Sequence, residues 1–370
     1  MEQRCIRVAQ VIGKWVGGGV EAVVMNYYRH IDHSKVQFDF ICDEDSTDIP
    51  YEEIEKLGGK VIIVPPYQKI FKYQRALKKV LEEGNYKIIH SHINTLSVFP
   101  LRIAKKIGIP VRIAHSHSTT NKKEWKKNLL KQTLRPFSKV YATNYFCCSE
   151  YAGRWQFGNK TYDEKKVFLL KNAIEIEKFK YDEEIRKNKR KELNINDDTL
   201  VIGNIGRFVS VKNHSFLIDV FNEVHKKNKN SLLLLVGQGP LRGEIERKVE
   251  KLDLSKNVIF LGQRSDVNEL YQSMDIFALP SLYEGLGMVL LEVQANGLRA
   301  ITSVFVPKEV NISKEITFKE MSSIYDWVDE IISINTDRTN NTKLLEDAGY
   351  DIKIEAEKLE KVYLELNKKV

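Results

Sequence analysis

The sequence predicts an α/β fold built from two doubly wound domains. Three observations carry that prediction. Strand-like apolar runs alternate with helical patterns along the whole chain, as in repeated βα units. A length of 370 residues suits two domains of ordinary size. Several strand-to-helix junctions carry glycine-rich or cationic loops, the place where open parallel sheets bind ligands.

In order, Arg4 to Ile12 reads as a strand of the parallel-sheet kind, the loop 13–19 (GKWVGGG) follows, and Val20 to Ile31 reads as a helix. Such a loop permits close backbone approach. Strands are expected at Gln37–Cys42, Lys60–Val64, Ile88–His92, Val111–Ser116, Tyr145–Ser149 and Val167–Leu170, with helices at Tyr51–Leu57, Phe71–Glu83 and Leu96–Ile107. The charged run 180–198 reads as a surface helix and loop. A second sheet is expected from Leu200–Ile205, Ser231–Val236, Val258–Leu261 and Asp275–Leu279, with helices at His214–His225 and Leu241–Leu252 and a last one at Ile352–Leu366. The boundaries follow as 1–173, 174–351 and a terminal segment 352–370.

No run reaches about 18 consecutive apolar residues, and the amino-terminus lacks a signal-peptide pattern. Cys5, Cys42, Cys147 and Cys148 show no CxxC spacing and read as buried free thiols of a reducing cytoplasm. Net charge is +8, with 28 Lys and Arg against 17 Asp and Glu in residues 1–170. That half should favour an anionic surface or acceptor. Zinc-finger spacing and RNA-binding signatures are lacking, so nucleic acid is not expected and a membrane face is favoured.

The most informative stretch is 280–298, PSLYEGLGMVLLEVQANGL. Pro280 and Ser281 end an apolar strand, a turn carries Glu284 and Gly285, and Gly287 to Asn296 reads as a helix with Val289, Leu290 and Val293 on an apolar face and Gly297 as its stop. Free amides and the helix dipole at that amino-terminus suit a diphosphate. Glu292 lies eight residues beyond Glu284, so one carboxylate can face a group past the phosphates while the other accepts from vicinal hydroxyls such as those of a ribose. In GRFVSVKNH, residues 206–214, Arg207 and Lys212 place two cations on a loop outside a strand. Taken singly, each feature reads equally as ordinary surface charge.

Together these motifs resemble retaining glycosyltransferases of family 4, which have the GT-B fold of two Rossmann-like domains facing across a cleft. The stretch 280–298 is similar to their E-x7-E signature, and GRFVSVKN to their G-R-x-x-x-x-K-N pattern. The likeness is strongest to capsule and exopolysaccharide transferases of bacteria. The resemblance implies that Arg207 and Lys212 hold the donor diphosphate, with the helix end at Gly285, Leu286 and Gly287. It puts Glu284 at the donor sugar and Glu292 at the ribose. It likens the Gly18–Glu21 segment, with Gly18 and Gly19, to the loop near the donor phosphates, and the turns at Gly237 and Arg264 to the base pocket, beside Tyr283. It also puts a His at the end of a first-domain strand beside the sugar: His117 is preferred over His115, and the pairs His90/His92 and His115/His117 both end strands. Ala173 and Glu175 replace the usual Gly and Asp at the domain crossing, and Ser303-Val304 stands where relatives have Ser-Asp.

The implied reaction is retaining hexosyl transfer from a nucleotide-sugar, taken as a UDP-sugar, to a glycan or lipid-linked acceptor, without a metal or another cofactor. The first domain would bind the acceptor, the second the donor, and the terminal helix would cross back onto the first. Residues 121–139 hold seven basic residues and one acid, with Trp125, Leu129, Leu130, Leu134 and Phe137 at helical spacing. A core-facing stripe and an anionic membrane contact both fit that pattern, and the resemblance favours peripheral contact with the inner face of the cell membrane. Two rivals stay open: a nucleotide-sugar epimerase of the same architecture and a non-catalytic assembly subunit.

Overall fold

The computed structural model describes residues 5–117 and 125–370, the side chains of 125–128 excepted. The chain divides into two compact units, Met1–Ala173 with Asp351–Val370, and Ile174–Tyr350.

Unit 1 is built on seven strands: β1 (Ile6–Gly13), β2 (Val36–Asp43), β3 (Lys60–Val64), β4 (Ile88–Ser91), β5 (Val111–Ser116), β6 (Asn144–Cys147) and β7 (Val167–Leu169). Their order is β3-β2-β1-β4-β5-β6-β7, and every pairing is parallel. Strand order reverses between β1 and β4, so the loops after these two strands diverge and open a crevice. Cys5 lies just before β1 and is exposed, whereas Cys42, Cys147 and Cys148 are buried; all four are free. The expectation of a buried thiol therefore fails at Cys5, because the strand begins one residue later.

Unit 2 contains β8 (Leu200–Ile205), β9 (Ser231–Val236), β10 (Val258–Gly262), β11 (Ile276–Leu279), β12 (Arg299–Ser303) and β13 (Ile316–Lys319). The order is β10-β9-β8-β11-β12-β13, again all parallel, with the reversal between β8 and β11. Both faces are covered, which is why its strands read as unbroken apolar runs. Phe277 and Leu279 pack under the helix Met288–Ala295, while Ile276 and Ala278 face the helix His214–Lys227 and Trp327. The Met288–Ala295 helix departs from the amphipathic reading: Leu290, Leu291, Val293, Gln294 and Ala295 are all buried, leaving little polar face.

The charged run after the crossing is not simply surface. Arg190, on the helix Glu183–Glu192, is 2% exposed and donates to the carbonyls of Ser273, Asn196 and Thr199 and to both oxygens of Asp275. Arg186 also meets Asp275 at 2.6 Å, and Asp275 accepts the Val201 amide at 2.7 Å. This network ties the helix to the edges of β8 and β11.

The interior of unit 1 is polar where β4 and β5 meet. Side chains two apart on a strand share a face, so His90 and His92 stack at 4.2 Å between ring centres, and His115 and His117 lie 3.8 Å apart. His90 Nε2 lies 3.1 Å from His115 Nδ1, and His92 Nδ1 lies 3.0 Å from His117 Nε2. Gln10 and Tyr363, the latter on the helix Ile352–Lys368 within this unit, complete the group: Gln10 Oε1 accepts from His92 Nε2 at 2.8 Å, Gln10 Nε2 donates to the Tyr363 hydroxyl, and that hydroxyl lies 2.6 Å from His90 Nδ1. Because Gln10 Oε1 can only accept, His92 carries its proton on Nε2, so His117 Nε2 must donate to His92 Nδ1. With the Tyr363 hydroxyl donating to His90, one neutral tautomer at every ring makes each of these contacts, while His115 Nε2–H is left buried without a partner among the described residues. Burial pushes all four imidazoles below their ordinary pKa of 6.5, His117 to about 3.

Two stability predictions follow from these networks. The folded rings hold fewer protons than the unfolded chain, so their contribution is intact above pH 6.5 and is lost as pH falls from there toward the folded values. The loss should be roughly 1.4 kcal/mol per pH unit for each ring that stays neutral. Urea unfolding of the intact chain between pH 7 and 5 should therefore show a steep fall, and a flat profile would contradict neutral buried rings. Asp275→Ala should destabilise by about 3–5 kcal/mol, since it strands Arg190 without its carboxylate; a urea midpoint close to the wild-type value would refute that role.

Candidate active site

In unit 2 the reversal point lies between the loop after β8 and the loop after β11. The first loop turns at Gly206, passes Arg207 and Phe208, and ends at Asn213, whose left-handed backbone (φ 53°) starts the helix His214–Lys227. It lies against the turn after β9: Phe208 donates its amide to Gln238 at 2.9 Å, and Leu241 donates back to Phe208 at 3.0 Å. A Cβ on Gly237 would stand 2.1 Å from the Gly206 carbonyl oxygen, and one on Gly239 would stand 2.6 Å from Phe208 backbone atoms. Both glycines are thus demanded by this close approach. Phe208 and His214 stack at 4.2 Å, and burial with nearby Lys212 lowers the His214 pKa to about 4.

The second loop, 280–287, meets the first directly. Leu282 donates its amide to the Val211 carbonyl at 2.8 Å, and Lys212 Nζ lies 2.6 Å from Glu284 Oε1. The Ser281 hydroxyl donates to the same oxygen at 2.6 Å. Gly287 (φ 82°) caps the helix Met288–Ala295 in the left-handed region, which glycine adopts without strain. The amides of Leu286, Gly287 and Met288 have no acceptor among the described residues. Leu286 is itself core, 4% exposed, so only its backbone faces this loop. Arg207 is exposed and has no ionic partner among the described residues. The result is a concave loop pair with a free guanidinium, a paired ammonium and open amides.

Glu292 lies one turn into that helix, half-buried, where Tyr271 donates its hydroxyl to Glu292 Oε2 at 2.7 Å. Burial raises the Glu292 pKa to about 7, against the pull of the Tyr271 hydrogen bond and of Lys178. Arg264, expected beside the base pocket, is held by carboxylates. It pairs with Asp266 at 2.6 Å and with Glu192 at 3.1 Å, so its guanidinium is already engaged. Tyr271 and Lys178 carried no signal in the sequence, because only folding brings them to Glu292.

In unit 1 Gly18 caps the helix Gly19–His30, and a Cβ there would stand 2.9 Å from Glu21 Oε2. Glu21 folds back to accept the Val16 amide at 3.0 Å. Gly19 has open space around its Cβ position, so sterics alone do not demand glycine there. His117 ends the run after β5; its amide donates to Asn94 Oδ1 at 2.7 Å, and its Nδ1 is buried with no partner among the described residues. His90, His92 and His115 bring possible ligand atoms within 4.8 Å of one another. Their surroundings, among them Val23, Val24, Phe38 and Leu170, include no anion among the described residues. A divalent ion would bring uncompensated charge into that apolar setting, whereas the neutral hydrogen-bond chain needs none. Between the ends of β1 and β4 a cavity of about 310 Å³ opens, lined among others by Gly13, Lys14, Asp43, Tyr67 and Asn94.

Residues 129–140 present most of their apolar side chains outward. Leu129 is 62% exposed, Leu130 38% and Phe137 49%, which overturns the core-stripe alternative for these three positions, whereas Leu134 is half-buried; Val140, just beyond the stripe, is 50% exposed. Residues 121–124 and the Trp125 side chain lie outside the described residues. Among the described residues no helix is long and apolar enough to cross a membrane.

Residues 17–178 match the model of Glycosyltransferase Family 4, and residues 185–352 that of Glycosyl transferases group 1. The chain is 36% identical to the Bacillus subtilis protein EpsF, which carries the name of a glycosyltransferase, over 82% of this chain and 81% of that one. It is 21% identical to an Escherichia coli UDP-Gal:alpha-D-GlcNAc-diphosphoundecaprenol alpha-1,3-galactosyltransferase over 98% and 97% of the two chains. The structure of Anabaena Alr3699/HepE in complex with UDP-glucose matches in fold, with a TM-score of 0.78 at 15% identity over 97% of this chain and 100% of that one. Two parallel-sheet units with this loop constellation, and a relative this similar over most of its length, place the chain in the family 4, group 1 glycosyltransferases of GT-B fold.

Proposed function

We propose that the protein moves a sugar from a UDP-sugar to a glycan or lipid-linked acceptor during synthesis of a bacterial surface polysaccharide. The observation that carries this reading is the contact of Lys212 with Glu284 across the reversal point of unit 2, beside exposed Arg207 and the open amides of Leu286–Met288. Arg207, Lys212 and the helix end would bind the diphosphate and stabilise the charge it gains on departure. Lys212 has three donors, so it can keep Glu284 while facing a phosphate oxygen. Glu284 would meet the donor sugar, Glu292 the ribose, and His117 the sugar's far side through its uncommitted Nδ1. The turns at Gly237 and Gly262 would bound the base, with backbone groups in place of Arg264.

In this reading the bond from the sugar's anomeric carbon to the diphosphate oxygen breaks, and its electron pair goes to the departing UDP. The acceptor hydroxyl attacks the same face, which retains configuration, and passes its proton to the leaving phosphate oxygen. Two protein cations supply the charge that a metal supplies elsewhere. The diphosphoundecaprenol in the Escherichia coli relative's name and the UDP-glucose of the Anabaena complex support a UDP-sugar and a lipid-linked acceptor. The relatives' glycosyltransferase names favour transfer over epimerisation. Unit 1 would hold the acceptor, and the exposed Leu129, Phe137 and Val140 among basic residues would rest on an anionic membrane.

UDP at about 100 times its dissociation constant should stabilise the protein by about 2.7 kcal/mol, with or without magnesium, where GDP and ADP do not. Lys212→Ala should lower kcat by about 10²–10³-fold. Glu292→Ala should weaken UDP binding about tenfold; unchanged affinity in a thermal-shift titration would remove the ribose role. Leu129→Glu with Phe137→Glu should abolish co-sedimentation with phosphatidylglycerol vesicles, and retention on them would refute the membrane face.

A further inference from the structure

The cavity at the β1–β4 junction holds a carboxylate that the proposed chemistry leaves unused. Asp43 ends β2, is 7% exposed and lines the cavity. Its carboxylate has no hydrogen-bond or ion-pair partner among the described residues. Its Oδ2 lies 3.9 Å from where a Cβ on Gly13 would stand, beside bare backbone. Burial, with Asp45 and Glu44 near, raises its pKa to about 6 against the pull of Lys14. Its oxygens open on the cavity, so the donors they take must come from whatever occupies that space. The neighbouring cation relieves the carboxylate's burial only in part. Lys14 is paired with Asp45 at 2.7 Å, and Glu21 already accepts the Val16 amide. The lining is therefore net negative, although the amino-terminal half as a whole is basic. Another part of the lining is aromatic: Tyr67 stacks on Phe99 at 5.5 Å between centres. The volume, about 310 Å³, falls at the lower end for small-molecule sites.

We infer that this cavity seats an uncharged sugar of the acceptor, with Asp43 accepting hydrogen bonds from its hydroxyls and Tyr67 covering an apolar ring face. The inference rests on the acceptor-binding reading of unit 1. Sugar hydroxyls bring the donors that Asp43 lacks, and a carboxylate makes the stronger kind of acceptor. A uronate or a phosphate would instead enter beside a like charge in a poorly screened site, which is repulsive. The excess cations of this half thus serve surfaces outside the cavity, and the expectation of an anionic acceptor does not extend to the sugar itself.

The test is saturation-transfer NMR on the full chain with the methyl glycosides of glucose, galactose, mannose and N-acetylglucosamine, and with methyl glucuronide. At least one neutral glycoside should bind, and Asp43→Asn should weaken it about tenfold. Methyl glucuronide should bind only once that charge is removed. Glucuronide binding to the wild type as strongly as a neutral glycoside, Asp43→Asn binding like the wild type, or no neutral glycoside binding would each overturn the inference. If Asp43→Asn does not fold, Tyr67→Ala is read in the same panel, where unchanged glycoside binding overturns it. A UDP-induced thermal shift on the same wild-type sample separates the two levels. Its absence strikes the glycosyltransferase site itself, whereas its presence beside a failed panel strikes only the acceptor sugar.

Discussion

Parallel strand pairing is the constraint on which the rest depends. A parallel strand must be followed by a crossover, and right-handed crossovers send every loop to the same edge of the sheet. Where strand order reverses, between β1 and β4 in unit 1 and between β8 and β11 in unit 2, neighbouring loops part and leave a crevice. The residues singled out for chemistry gather at those two edges, which offer backbone amides, helix ends and room together.

Within unit 2 the crevice is held by a few interactions that leave its ligand-facing groups free. The Leu282–Val211 backbone bond and the Lys212–Glu284 pair join the two loops. Gly237 and Gly239 let the turn after β9 press against Phe208, which fixes the start of the cationic loop. Ion pairs account for several other charges nearby: Arg264 is held by Asp266 and Glu192, and Arg190 by Asp275. Arg207 stands apart from these in being exposed without such a partner among the described residues. Its charge therefore remains available to an anion.

Unit 1 uses burial differently. Its polar interior at β4 and β5 is joined by a directional chain of neutral rings that leaves His115 Nε2 and His117 Nδ1 without partners among the described residues, while the Asp43 carboxylate opens on the adjacent cavity. Low dielectric makes both arrangements consequential, since it strengthens a matched hydrogen bond and penalises an unmatched group. The chain of rings reaches Tyr363 of the last helix, so the carboxy-terminal segment takes part in unit 1's interior although it follows unit 2 in sequence.

The sequence by itself determined the alternation of strands and helices, because apolar periodicity and glycine stops are local properties. Lys60–Val64, Val111–Ser116, Leu200–Ile205 and Ser231–Val236 fall where the patterning put them. It also made the loop motifs legible, since Arg207, Lys212, Glu284 and Glu292 lie within short segments whose spacing carries meaning. Contacts between distant segments were decided only by the tertiary structure. Tyr271 on Glu292, Arg190 on Asp275, Arg264 turned to Glu192 and four histidines joined through Gln10 and Tyr363 all depend on which strands become neighbours. Strand order is set by the packing of whole helices on sheet faces, a sum of many weak contacts that no single motif encodes. The same holds for Asp43, whose local sequence is ordinarily acidic and whose burial exists only once β2 has paired with β1 and β3.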